Sequence, residues 1–272
     1  MVDAIWDWDI ADADVARALT IHHAPSTSLL LMASYRAPVD LDQRGCALPD
    51  KCATLIRDAV VTLRPTGPLG MLVVLLKPDA AARIVDARLG EFANARISLW
   101  DLFSEDGAAA CSELLATARS SAERVGTVVT FLLRRLRPPM DTLAGRAATY
   151  LRRDPALRMQ ELAGELGITA RHLGRVFQSA LGMSPKHFAR LARIERIVQL
   201  RQRGLSWADI ACDCGMADQP HLIREFEALV GVRPTDFFVR SGFWVPDAPV
   251  SGHFVVQPKN NAVRKMRSSA VP

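Results

Sequence analysis

A segment that occurs twice constrains this chain more than any other feature. Glu161-Leu162-Ala163 lies over Asp209-Ile210-Ala211, and Gly167 over Gly215. After a one-residue insertion in the turn, His172 falls on His221, Leu173 on Leu222, Arg175 on Arg224, Phe177 on Phe226, Gly182 on Gly231 and Pro185 on Pro234. Each copy reads as a short helix, a glycine turn and a second helix opened by a capping residue, Thr169 or Asp218. That is the helix-turn-helix pattern, whose second helix enters the DNA major groove. Two copies about 48 residues apart are far more specific than one match.

The charge agrees with that division. Residues 1–140 hold 15 Lys/Arg against 17 Asp/Glu, whereas residues 141–272 hold 19 against 12. A near-neutral front and a basic back imply two jobs, the second with an anionic partner. Hydrophobic residues at 49% and charged residues at 23% suit a soluble globular protein rather than a disordered one. The longest apolar run, Leu69 to Leu76, is too short to cross a bilayer. Asp3, Asp7, Asp9, Asp12 and Asp14 precede any base, the opposite of a signal or transit peptide, so the expected location is the cytoplasm.

In the front half, residues 28–35 and 71–76 are apolar runs, and Ala59-Val-Val-Thr-Leu63 is β-rich. The Pro/Gly turn at 64–68 between the last two predicts a hairpin. Pro78-Asp79 opens a helical stretch that stops near Gly90. From Ala108 to Leu136, apolar residues recur at helical spacing, including Val125, Val128, Val129, Leu132, Leu133 and Leu136. Core packing is the commoner fate of such a stripe, and a dimer surface is the alternative. Arg137-Pro138-Pro139 breaks the helix and marks the boundary. The expected organisation is an N-terminal domain over 1–137, a tandem helix-turn-helix domain over 138–243 and a flexible basic tail over 244–272.

Helical geometry turns Leu173, Val176 and Phe177 inward and leaves Ala170, Arg171, Gly174 and Arg175 outward. In the second copy Leu222, Phe226 and Leu229 face inward, and Gln219, Pro220, His221 and Arg224 outward. Arginine pairs with guanine O6/N7 or binds phosphate. A helix from Pro185 to about Arg203 joins the copies, giving roughly 27 Å of spacer at about 1.5 Å per residue. Major-groove faces recur about every 34 Å, so the spacer suits two reading helices on one side of a duplex. Lys186, Arg190, Arg193 and Arg201 cluster on this helix, with Ile197 among them. They form either a solvated basic face or phosphate contacts; Lys186, Arg190 and Arg193 are the candidates for the latter.

The residues Glu161-Leu-Ala-x-x-Leu-Gly-Ile-Thr-x-Arg-His-Leu-x-Arg-x-Phe177, Leu181-Gly-Met-Ser-Pro185, Asp209-Ile-Ala-x-x-Cys-Gly-Met-x-Asp-Gln-x-His-Leu-x-Arg-Glu-Phe226 and Gly231-Val-Arg-Pro234 resemble the AraC/XylS transcriptional regulators over residues 141–241. The resemblance implies a seven-helix domain with two helix-turn-helix units on a shared helix. It also implies promoter regulation, often as an activator that touches RNA polymerase. By position, base reading falls on Arg171, Gly174, Arg175, Gln219, Pro220, His221 and Arg224. Pro220 and Ile223 depart from the small polar residues usual in the family, and Pro220 removes a donor. His172 and His221 either contact DNA or belong to packed cap regions. The stretch Arg64-Pro-Thr-Gly-Pro-Leu-Gly-x-Leu-Val-Val-x-Leu-Lys-Pro-x-Ala-Ala-Ala-Arg, with Ile97-x-Leu-x-Asp-Leu-Phe103, is similar to the cupin-like N-terminal domain of some of these regulators. That implies an α+β fold of β structure followed by helices, which binds a small-molecule effector or forms a homodimer.

Other classes receive little support. Cys46, Cys52, Cys111, Cys212 and Cys214 show no paired C-x-x-C spacing and read as reduced thiols. The alternative at Cys46 and Cys52, a redox or metal switch or a cysteine alkyltransferase, lacks a nearby base-bearing motif or a third ligand. His22-His23 lack metal spacing, and the Trp6/Trp8 and Asp7/Asp9 alternation is too short to argue carbohydrate contact. No catalytic constellation, metal or cofactor is expected. A regulator controlled by a protein partner rather than a ligand remains the other reading.

Overall fold

The computed structural model describes residues 2–41, 46–47, 51–54, 60–85, 90, 96–98, 102–103, 113–138, 141–239 and 243–244. Among the described residues, two five-stranded sheets dominate the first half, the second of them edged by a strand from beyond the helical half. The first runs in the order β1 (Val2–Ile10), β8 (Leu69–Leu76), β3 (Leu29–Ser34), β6 (Lys51–Thr54), β9 (Arg96–Ser98). The second runs β10 (Phe243–Trp244), β2 (Ile21–His23), β7 (Val61–Pro65), β4 (Val39–Leu41), β5 (Cys46–Ala47). Among the described residues every pairing is antiparallel except β10 on β2.

The period-two alternation of side chains explains why β8 is apolar throughout. Leu69, Met71, Val73 and Leu75 join Trp8, Leu30 and Met32 in packing on Ile21, Val39 and Leu63 of the second sheet. Leu72, Val74 and Leu76 point the other way, with Leu29 and Leu31, into the cluster that contains the helices. A strand covered on both faces has no polar side to show, so all eight of its residues are buried.

Two expectations are corrected here. The runs around the 64–68 turn do not form a hairpin: β7 and β8 belong to different sheets, β7 between β2 and β4, and β8 between β1 and β3. The turn is tied instead to the segment after β3, where Thr66 N donates to Pro38 O and Ala37 N to Pro68 O. The tail expected to begin at 244 is also not wholly free, because Phe243 and Trp244 pair with His22 and His23.

This half also holds the short helices α1 (Ala13–Arg17) and α2 (Pro78–Ile84) and the longer α3 (Ser121–Arg135). The apolar stripe of α3 divides. Val128 and Leu132 are buried in the core, whereas Leu133 is 51% exposed. The buried Arg124 fastens α3 to β1, donating from Nε to Asp7 (2.8 Å) and from Nη2 to Asp9 (2.9 Å). It also stacks over the Tyr35 ring at 4.5 Å, while Tyr35 Oη donates to Asp7. A buried guanidinium is tolerated only with such partners. Burial pushes the Tyr35 phenol well above its usual range, helped by the Asp7 hydrogen bond.

The second half is helical: α4 (Leu143–Arg153), α5 (Met159–Glu165), α6 (Ala170–Leu181), α7 (Pro185–Gln202), α8 (Trp207–Asp213), α9 (Gln219–Val230) and α10 (Pro234–Val239). These are the seven helices that the resemblance implied. Their buried residues are continuous with those behind the first sheet, through Ala81 and Ile84 of α2 and Val128 and Leu132 of α3.

Candidate nucleic-acid interface

The two helix-turn-helix units, α5–α6 and α8–α9, are built by the same local chemistry. After each first helix, a glycine adopts positive φ, 68° at Gly167 and 64° at Gly215. Only glycine takes that conformation without a Cβ penalty. The next amide closes the turn, Ile168 N to Ala163 O at 3.0 Å and Met216 N to Ala211 O at 2.9 Å. Each second helix then starts on a side-chain cap: Thr169 accepts from His172 N at 3.2 Å, and Asp218 from His221 N at 2.7 Å. A cap of this kind contributes about 1 kcal/mol.

Packing repeats as well. Leu173 and Phe177, like Leu222 and Phe226, are fully buried. Phe177 meets Phe188 edge to face, with ring centroids 5.2 Å apart, and Phe226 meets Phe237 at 5.3 Å. Phe188 and Phe237 each stand three residues after the repeated proline, a correspondence that extends the duplication beyond Pro185 and Pro234.

With those faces inside, the others are presented outward. Arg171 and Arg175 are exposed on α6, with Gly174 partly exposed between them. On α9, Gln219, Pro220 and Arg224 are exposed and His221 is partly so. Pro220 sits in the first turn, where the missing N–H breaks no helical bond. Both histidines serve their cap through the backbone, and the His172 ring lies 3.3 Å from Arg175 Nη2. No side chain crowds the space above Gly174.

The basic residues of α7 separate. Lys186 is exposed. Arg190 Nε donates to Glu225 at 2.9 Å, joining α7 to α9, and Arg193 Nη2 donates to Pro155 O at 2.9 Å. Arg201 donates to Leu205 O and lies 4.8 Å over the Trp207 ring. These three guanidiniums are therefore engaged within the protein, unlike the basic face expected from sequence. Ile197, which interrupted that face, is fully buried. Sequence reasoning missed two acidic partners, Glu225 and Asp213; the latter accepts from Arg196 Nε at 3.0 Å. The signal was present, since Glu225 stands where the first unit has Val176.

Cys212 is exposed and Cys214 buried, and burial pushes the Cys214 thiol up to about 11, the profile of an inert thiol. Cys46 and Cys52 lie on strands of different sheets, and Cys111 lies outside the described residues. Among the described residues no three His, Cys, Asp or Glu side chains are grouped to hold a metal ion, and no helix is long and apolar enough to cross a membrane.

Comparison with known proteins places this geometry. Residues 162–240 match the model of a helix-turn-helix domain family. The apo form of a point variant of ToxT from Vibrio cholerae strain SCE256 is similar over 86% of this chain and 96% of its own, at 13% identity and a TM-score of 0.51. That likeness extends over both halves and shows a shared fold. A DNA-binding transcriptional dual regulator from Escherichia coli K-12 is 22% identical over 37% of this chain and 93% of its own, with a TM-score of 0.34. A probable AraC family transcriptional regulator from Rhodopseudomonas palustris CGA009 is 22% identical over 36% and 95%, with a TM-score of 0.32. No curated protein matches the chain. Two helix-turn-helix units of one design thus stand on a shared helix behind an N-terminal β domain, within a fold that the ToxT structure shares.

Proposed function

We propose that the protein reads two adjacent major-groove segments of promoter DNA, α6 entering one and α9 the next. Base reading falls to Arg171 and Arg175 in the first unit and to Gln219, His221 and Arg224 in the second. Gly174 and Pro220 admit close approach of the backbone, and Lys186 meets phosphate. The observation that carries this reading is the matched exposure of Arg175 and Arg224, each two residues after a buried leucine on the same side of equivalent helices.

In this reading the DNA-binding domain begins at 138, and the β-rich domain before it modulates binding in the cytoplasm through an effector, a second copy or a protein partner. The regulator acts by binding rather than by catalysis, and activation through RNA polymerase is the proposed output. A genome-wide binding map made with the purified protein tests this. A recurrent motif of two short blocks about one helical turn apart supports it; enrichment with no shared motif sinks it.

A further inference from the structure

A cleft of about 510 Å³ opens between α2 and α4, and a smaller one of about 270 Å³ continues it. Helical spacing builds its floor. On α4, Ala144, Ala147, Ala148 and Leu151 are buried, while Gly145, Thr149 and Arg153 form a row along the cleft with Arg146 and Tyr150 beside it. Asp79, in the first turn of α2, stands on the other wall. A Cβ built on Gly145 would meet only Thr142 Oγ1 within 4 Å, at 2.9 Å, so nothing from α2 fills the space above the floor. Thr149 Oγ1 donates to Gly145 O at 2.9 Å, and its hydroxyl is thereby spent on the helix. Tyr150 is 37% exposed and leaves ring surface at the rim. The cleft lies outside the two sheets, whose facing sides are filled by Trp8, Met32, Met71 and their neighbours.

The charges around the cleft divide into engaged and free. Arg152 Nη2 donates to Asp3 Oδ2 at 2.8 Å, and Lys77 Nζ stands 3.9 Å from the other Asp3 oxygen. Arg146 Nε lies 3.9 Å from Asp141 Oδ1. Asp79 and Arg153 are exposed, and among the described residues neither has a hydrogen bond or an ion pair, with the other or with any third group. Both line the main cleft and its continuation, so a free carboxylate and a free guanidinium stand where the two join. A guanidinium holds a carboxylate by two parallel N–H···O bonds, and a carboxylate accepts from an ammonium. A bare anion would satisfy Arg153 and be repelled by Asp79; a bare cation would meet the reverse. Only a ligand that carries both charges answers both walls. The volume falls in the range of small-molecule sites, about 300–1,000 Å³, where a few placed polar groups orient a mostly apolar ligand. The Tyr150 ring offers the apolar part of such a site.

We infer that the cleft between α2 and α4 binds a small zwitterion, an α-amino acid with an apolar side chain, its ammonium on Asp79, its carboxylate on Arg153 and its side chain against Tyr150. This stands apart from the reading of α6 and α9 as DNA-binding helices, and none of the outcomes below bears on that reading. The test uses the full chain and the standard L-amino acids, by calorimetric titration and thermal melting. At least one apolar amino acid is expected to titrate one to one and to raise the melting temperature. Its N-acetyl and methyl ester forms, each lacking one charge, should bind about tenfold or more weakly. Asp79→Asn and Arg153→Gln should each weaken the intact amino acid to the same degree. Both residues are exposed, so the unliganded variants should melt with the parent. Arg134→Gln removes an exposed charge outside the cleft and should leave binding as it is. Should a cleft variant fail to fold, the blocked ligands carry the test on the parent chain. Binding of none of the amino acids overturns the inference. So does equal binding of the blocked forms, equal binding of acetate or inorganic phosphate, or unchanged binding by either folded cleft variant.

Discussion

The two helix-turn-helix units share a scaffold and differ in how they are held. Turn glycine, cap, buried leucine and phenylalanine and the edge-to-face ring pair recur in both. The second unit adds polar fastenings to α7, through Glu225 and Asp213, and Ser206 caps α8 by accepting from Asp209 N. The first unit has Val176 in place of Glu225, and Arg158, at the start of α5, makes no side-chain cap bond. Its outward face is richer in donors, with two arginines against one arginine, a glutamine and a proline that cannot donate. The duplication thus separates two properties. The apolar scaffold is common, while anchorage favours the second unit and exposed donors the first.

That comparison breaks if the cores are not equivalent. Phe177→Ala and Phe226→Ala each remove a fully buried ring with an aromatic neighbour, and each should cost about 3–5 kcal/mol of stability. Denaturant unfolding of the two variants checks the match, and a cost confined to one of them would end the claim of a shared scaffold.

The outward faces come next in size. Arg171→Ala and Arg175→Ala should each lose roughly 1–3 kcal/mol of binding to the cognate site and less on random duplex. Fluorescence anisotropy on both duplexes decides this, since an equal loss reassigns the residue to phosphate.

Anchorage is smaller. Glu225→Ala leaves Arg190 without its carboxylate in a partly exposed pair, so a loss of about 1 kcal/mol is expected after solvent screening. The corresponding Val176→Ala removes no ionic contact. Adding salt should therefore shrink the Glu225 effect and leave the Val176 effect unchanged, which thermal melts at two ionic strengths would show.

The smallest change sharpens the comparison. Gly174 is helical with open space above it, so Gly174→Ala should stabilise the chain by about 0.5–1 kcal/mol. Calorimetry would register the gain, and a weaker cognate complex in the same variant would mark Gly174 as a point of backbone approach.

How much of this was legible in the sequence depended on the range of the interactions. Caps, turn glycines and inward faces of α6 and α9 were readable because each is decided within a few residues, and the repeat supplied an internal control. The front half was legible as strands but not as a topology. The all-apolar β8 gives no alternation to choose a partner, and the 64–68 turn sends its two flanking strands to different sheets. The basic residues of α7 were visible, but not the acidic partners that occupy Arg190 and Arg196. Nor could spacing reveal the bond between Thr27 and Glu195, which joins residues 168 apart through groups without hydrophobic periodicity.

Selection from a randomised duplex library, run on the parent chain and on Arg171→Ala, Arg175→Ala and Arg224→Ala, tests the central claim most directly. Two constrained blocks about one helical turn apart should emerge, the block under Arg171 and Arg175 the stricter. Either arginine variant of the first unit should relax that block, whereas Arg224→Ala should cost affinity with little change of base preference. A single block, or an equally strict block under Gln219 to Arg224, would contradict the division of labour between the two units.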